Sequence, residues 1–76
     1  MDLKEAKIIY NSCDSVAGFI NLFWEFVPEY QSQELAYEAA ERKYRTACRI
    51  VTGEEKNKYA NFESFRVSRD KYLKKK

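Results

Sequence analysis

The stretch that decides the fold is VAGFINLFWEFV, residues 16–27. Val16, Phe19, Ile20, Phe23, Phe26 and Val27 recur at spacings of three and four, the repeat of an α-helix. Wound on that helix they cover well over half of its circumference. Only Gly18, Asn21 and Glu25, with Asp14 upstream, mark a narrow polar strip. A helix that is apolar on most sides must be covered on most sides. Two neighbouring helices cover about half of such a surface, so the remainder is either the inside of a bundle or a contact face for a second chain.

Upstream, the same spacing runs back through Leu3, Ala6, Tyr10, Cys13 and Ala17, so residues 2–27 read as one helical segment with Asp2 as its N-cap. Residues 11–15 (Asn-Ser-Cys-Asp-Ser) are polar and cap-like. They leave a kink or a break into two shorter helices as the alternative. Pro28 closes the segment by disfavouring helix at Val27 and lacking a donor.

Downstream, Ser32 reads as the N-cap of a second segment ending at Thr52. Ala36, Tyr37, Ala40, Tyr44, Ala47, Cys48 and Val51 form its apolar face, and its alanines permit close approach of a neighbour. Glu34, Glu38, Glu41, Arg42, Arg45 and Arg49 form the opposite face, with Glu38–Arg42 and Glu41–Arg45 as i, i+4 ion pairs. Gly53 stops this helix by taking the left-handed conformation. A third segment runs over residues 54–73, opened by Glu54 and Glu55, with Tyr59, Phe62, Phe65, Tyr72 and Leu73 sharing a face with Arg66 and Arg69. Lys74, Lys75 and Lys76 form a frayed basic tail. The expected fold is all-α, a small three-helix antiparallel bundle in one domain over residues 1–73. Its expected core is Ile20, Phe23, Trp24, Ala40, Tyr44, Ala47, Val51, Phe62 and Phe65.

Composition narrows the function. The 76 residues contain no His, which removes the commonest proton shuttle and every imidazole-dependent zinc site. Two Cys cannot make a four-thiolate metal site, and two Gly leave no phosphate-cradling loop. Residues 16–27 are well short of the roughly 20 apolar residues of a membrane span. The expectation is therefore a cytoplasmic protein with reduced Cys13 and Cys48, no cofactor, no membrane contact, no small-molecule substrate and no enzymatic activity. No stretch carries a family motif.

A chain this short buries only roughly 60% of its unfolded surface, and a homodimer would relieve that shortage. Phe19, Phe23, Trp24 and Phe26 are the expected self-association anchors, aromatic residues being the types that dominate contact energies. Residues 1–30 carry a net charge of −3 and residues 31–76 carry +5. Arg42, Arg45, Arg49, Tyr59, Arg66, Arg69, Lys74 and Lys75 are thus the expected partner or polyanion surface. Basic side chains interleaved with rings suit phosphates and bases. The total of +2 is low for a dedicated nucleic-acid binder, which favours a protein partner over nucleic acid. The expectation is a helical interaction module of adaptor or inhibitor type, a class often encoded by phages and mobile elements.

Overall fold

Local caps set most of the element boundaries. A computed structural model describes residues 1–74 as α1 (Leu3–Ser12), α2 (Val16–Phe26), a 3₁₀ turn (Val27–Glu29), α3 (Gln33–Thr52) and α4 (Phe62–Lys74). Lys75 and Lys76, the end of the expected tail, lie outside the described residues, and Lys74 is the last residue of α4. The Asp2 carboxylate accepts the amide of Glu5 at 2.8 Å and starts α1. Ser32 accepts from the amide of Leu35 at 3.1 Å and starts α3. Gly53, at φ +85°, ends α3 by donating its amide to the Arg49 carbonyl at 2.8 Å.

The first segment is two helices, broken within residues 11–15 as the alternative reading allowed, so the described chain has four α-helices and not the three of the continuous reading. Ser15 caps α2 by accepting the amide of Gly18 at 3.0 Å, and its hydroxyl donates to the Ser12 carbonyl at 3.3 Å. Gly18 permits this corner. A methyl group at its Cα would land on the Ser12 carbonyl oxygen, so no larger residue fits without moving the end of α1.

The third segment also starts later than expected. Residues 53–61 are irregular, and α4 begins only at Phe62, where the Asn61 side chain accepts the amide of Ser64 at 2.9 Å. The competing interaction is Glu41. Expected on the solvent face beside Arg45, it is instead 2% exposed. Its carboxylate accepts the Tyr37 hydroxyl at 2.6 Å, the Lys58 amide at 2.8 Å and the Tyr59 amide at 2.9 Å. A buried carboxylate needs such donors, and two successive backbone amides can turn toward it only if that stretch is not helical. Arg45 bonds the side chain of Asn57 at 2.9 Å instead.

α1 and α2 each pack on α3, and α4 packs on both α2 and α3. Ala36, Ala40 and Ala47 of α3 are fully buried, which lets these helices approach closely. The centre is aromatic. The Phe65 ring lies 4.8 Å from Phe23, 5.1 Å from Tyr37 and 5.5 Å from both Phe19 and Tyr59, centroid to centroid. Most of these pairs are tilted or edge-on, the arrangement the ring quadrupole favours. Of the expected core, Ile20, Phe23, Ala40, Ala47 and Phe65 are buried and Tyr44, Val51 and Phe62 are half-buried. Trp24 is the exception, 45% exposed.

Candidate docking surface

The two expected surfaces fare differently from their sequence reading. Phe19 and Phe23 have no exposed surface and so cannot anchor a second chain. The rings of Tyr37, Tyr59 and Phe65 enclose Phe19, and Phe65 covers Phe23. Trp24 stays at the surface, its ring 5.3 Å from Phe23. Phe26 is half-buried against Tyr30, with the Lys43 ammonium 5.8 Å from its ring centroid.

The expected basic surface is largely committed within the chain. Tyr59 is half-buried against Phe19 and Phe65, and its hydroxyl meets the Ser68 hydroxyl at 3.0 Å. The Arg69 guanidinium lies over the Phe23 and Phe65 rings at 5.8 and 5.9 Å and donates to Gln33 at 2.9 Å. Only 11% of its side chain is exposed. Arg66 makes a forked pair with Glu63 at 2.7 and 3.0 Å, which raises its pKa further, and Arg49 faces Glu55 at 3.8 Å. Arg42 and Lys74 are exposed, and Lys75 lies outside the described residues. The rings that would stack on bases are thus in or beside the core, and most of the guanidiniums have partners.

The open feature lies elsewhere. α1 and α2 leave their shared corner at residues 13–15 and each rests on α3, with a cleft of about 580 Å³ between them. Ile8 and Ile9 form one apolar wall, Ala17 and Leu22 the other, and Cys13 lies at the corner. Ile8 is 58% exposed. Trp24, three residues after the cleft residue Asn21, does not itself line the cleft; it is exposed on α2 with its ring against Phe23. Glu5 and Glu25 line the two walls, and Lys43 of α3, whose ammonium sits over the Phe26 ring, also borders the cleft. The sequence reading missed Ile8 because it falls beside, and not on, the stripe of Leu3, Ala6 and Tyr10. An isolated exposed isoleucine carries no signal until the neighbouring helix is in place.

The chemistry of the surroundings is quiet. Burial pushes the Cys13 thiol up to about 11, opposed by the nearby Lys58 cation. Burial also raises Tyr37, with help from its hydrogen bond to Glu41, and Tyr44, with help from Cys48. Buried thiols of this kind are poor nucleophiles at neutral pH. Among the described residues no three His, Cys, Asp or Glu side chains converge on a metal-sized site, and no helix is long and apolar enough to cross a membrane. A second, smaller cleft of about 360 Å³ lies beside α3, between Glu34, Glu38 and Arg42 on one side and Asn57 and Asn61 on the other. Comparison with family models, curated proteins and solved structures finds no match to this chain.

Proposed function

We propose that this protein is a non-enzymatic docking module that engages another protein through the α1–α2 cleft, with the exposed Trp24 of α2 as a second contact. One observation carries the reading: an open cleft between α1 and α2 whose aliphatic lining includes the largely exposed Ile8, on a chain that also leaves Trp24 of α2 half-exposed. Concave apolar sites with an aromatic anchor are the arrangement from which contact energy is drawn. A module of this kind acts as an adaptor or inhibitor, by occupying a partner's surface and not by transforming a substrate. Self-association retains only Trp24 and the edge of Phe26 as aromatic anchors, and the nucleic-acid reading has lost Tyr59 and Arg69 to the interior. Docking on a different protein is therefore the reading we advance.

The test is a selection of displayed peptides against the folded protein. Selected peptides should compete for one site, and Ile8→Arg should abolish their binding while leaving the thermal midpoint close to wild type. Arg49→Ala and Arg66→Ala should leave binding intact. Peptides indifferent to Ile8→Arg, or lost with the two arginines, would move the contact surface away from the cleft.

A further inference from the structure

Resting on that docking reading, we propose that the cleft takes an apolar-faced helix of its partner that carries lysine or arginine at the end reaching the cleft mouth. The walls set the length. α1 and α2 have 10 and 11 residues, about 15 Å each at 1.5 Å per residue, which matches three turns of a third helix. The lining sets the conformation. The aliphatic walls, Ile8, Ile9, Ala17 and Leu22, offer no hydrogen bonds, and the neutral polar side chains beside them are only Ser12, Ser15 and Asn21. An extended segment laid between them would bury unpaired amides and carbonyls, whereas a helix satisfies its own. Its i, i+4 and i+7 side chains would then fill the V between the two walls.

Charge sets the polarity. Glu5 precedes Ser12 on α1 by seven residues and Glu25 follows Gly18 on α2 by seven, so their backbones stand about 10 Å along the two helices from the corner, on opposite walls. Neither makes an ion pair among the described residues. The remaining charge in the cleft, Lys43, is held over the Phe26 ring. The cleft therefore offers two carboxylates to whatever enters, on the two helices that wall it, and a cationic end answers both.

The probes are two side-chain-bridged helical peptides of about twelve residues. Both carry leucine at i, i+4 and i+7, one with two lysines at one end and the other with two glutamates there. Binding is read by Trp24 fluorescence and by the backbone amide resonances of Ile8 and Leu22. The lysine peptide should bind about tenfold more tightly, the combined effect of two exposed ion pairs, and the advantage should shrink as salt rises. A Glu5→Lys, Glu25→Lys double variant should reverse the preference. Equal affinity of the two peptides at the cleft would overturn the charge inference and leave the docking reading standing. Failure of both peptides to shift the cleft resonances would overturn the helical occupant, while the displayed-peptide selection decides docking independently. Self-association in sedimentation that Ile8→Arg abolishes would make the occupant a second copy and overturn the proposal.

Discussion

The two sides of α2 end in different places. On one side Phe19 and Phe23 are sealed beneath the rings of α3, α4 and Tyr59. On the other, Ala17, Asn21, Trp24 and Glu25 border an open cleft or face solvent. Apolar girth alone says how much surface must be covered and is silent on what covers it. Most of the cover comes from the chain itself, because Glu41 holds residues 58 and 59 against α3 and brings Tyr59 and then Phe65 onto Phe19. What remains for another molecule is the smaller, less aromatic side.

Adjacent residues give the largest test of that contrast. Phe23→Ala should cost about 3–5 kcal/mol, the usual range for emptying a buried aromatic site. A chain of this length has a total stability of about 4–11 kcal/mol, so this variant should be largely unfolded or close to it. Trp24→Ala, one position on, should cost about 1 kcal/mol or less, since much of the indole is already in water. Urea titration followed by circular dichroism measures both. Equal losses would mean that α2 has no open side.

The next effect is at Glu41. Glu41→Ala strands the amides of Lys58 and Tyr59, at about 1 kcal/mol or more each, and leaves the Tyr37 hydroxyl only its longer bond to the Tyr59 carbonyl at 3.3 Å. The expected loss is about 3 kcal/mol, with amide exchange at residues 58 and 59 accelerated more than in the middle of α1. Glu41→Gln should lose less, because the amide keeps one acceptor oxygen. If Glu41→Ala unfolds with wild-type stability, the 53–61 connection is not what holds the aromatic cover in place. Smaller again, Gly18→Ala should cost about 1–3 kcal/mol by pressing a methyl group against the Ser12 carbonyl. Because the displacement falls on the corner, cleft resonances such as Ile8 should shift while those of Phe65 stay near their wild-type positions. Uniform shifts would show that cleft and core move as one body.

How far these features could be read in advance depends on how local their causes are. Asp2, Ser32 and Gly53 each act within four residues, and all three helix boundaries they imply are where the sequence put them. The alternating faces of α3 were legible for the same reason. Ser15 and Asn61 also act within three residues, yet each competed with a plausible continuous helix, and only the packing chose between them. Glu41 bonds to residues 17 and 18 positions away, a distance at which one sequence gives no pairing information. A faint signal existed, since Glu41 follows Tyr37 by four and precedes Tyr44 by three and so lies on the apolar row. Arg69 was read as surface because an arginine usually is. Its burial needs Phe23 and Gln33, which belong to other elements. The cleft was the least legible feature, being a gap between α1 and α2 that exists only once both rest on α3.

The smallest expected effect locates the boundary between the two regions. Cys13 lines the cleft, yet only 1% of it is exposed, so it belongs to the core by accessibility and to the cleft by position. Burial raises its thiol from an ordinary 9.0 to about 11. Below the ordinary value both folded and unfolded chains hold the proton, and Cys13 adds no pH dependence. Between about 9 and 11 the unfolded chain releases its proton while the folded chain keeps it. The folded state then binds more protons, and stability must fall as pH rises. Tyr37 and Tyr44, also raised by burial, act in the same direction at higher pH. The thermal midpoint should therefore be flat near neutrality and decline above pH 9, and Cys13→Ala should make the early part of that decline shallower. Native protein at pH 8 should also react with an aromatic disulfide reagent far more slowly than urea-unfolded protein. Prompt reaction, or parallel alkaline declines for wild type and Cys13→Ala, would mean that solvent reaches the corner and that the cleft runs deeper than the side chains of Ile9 and Leu22.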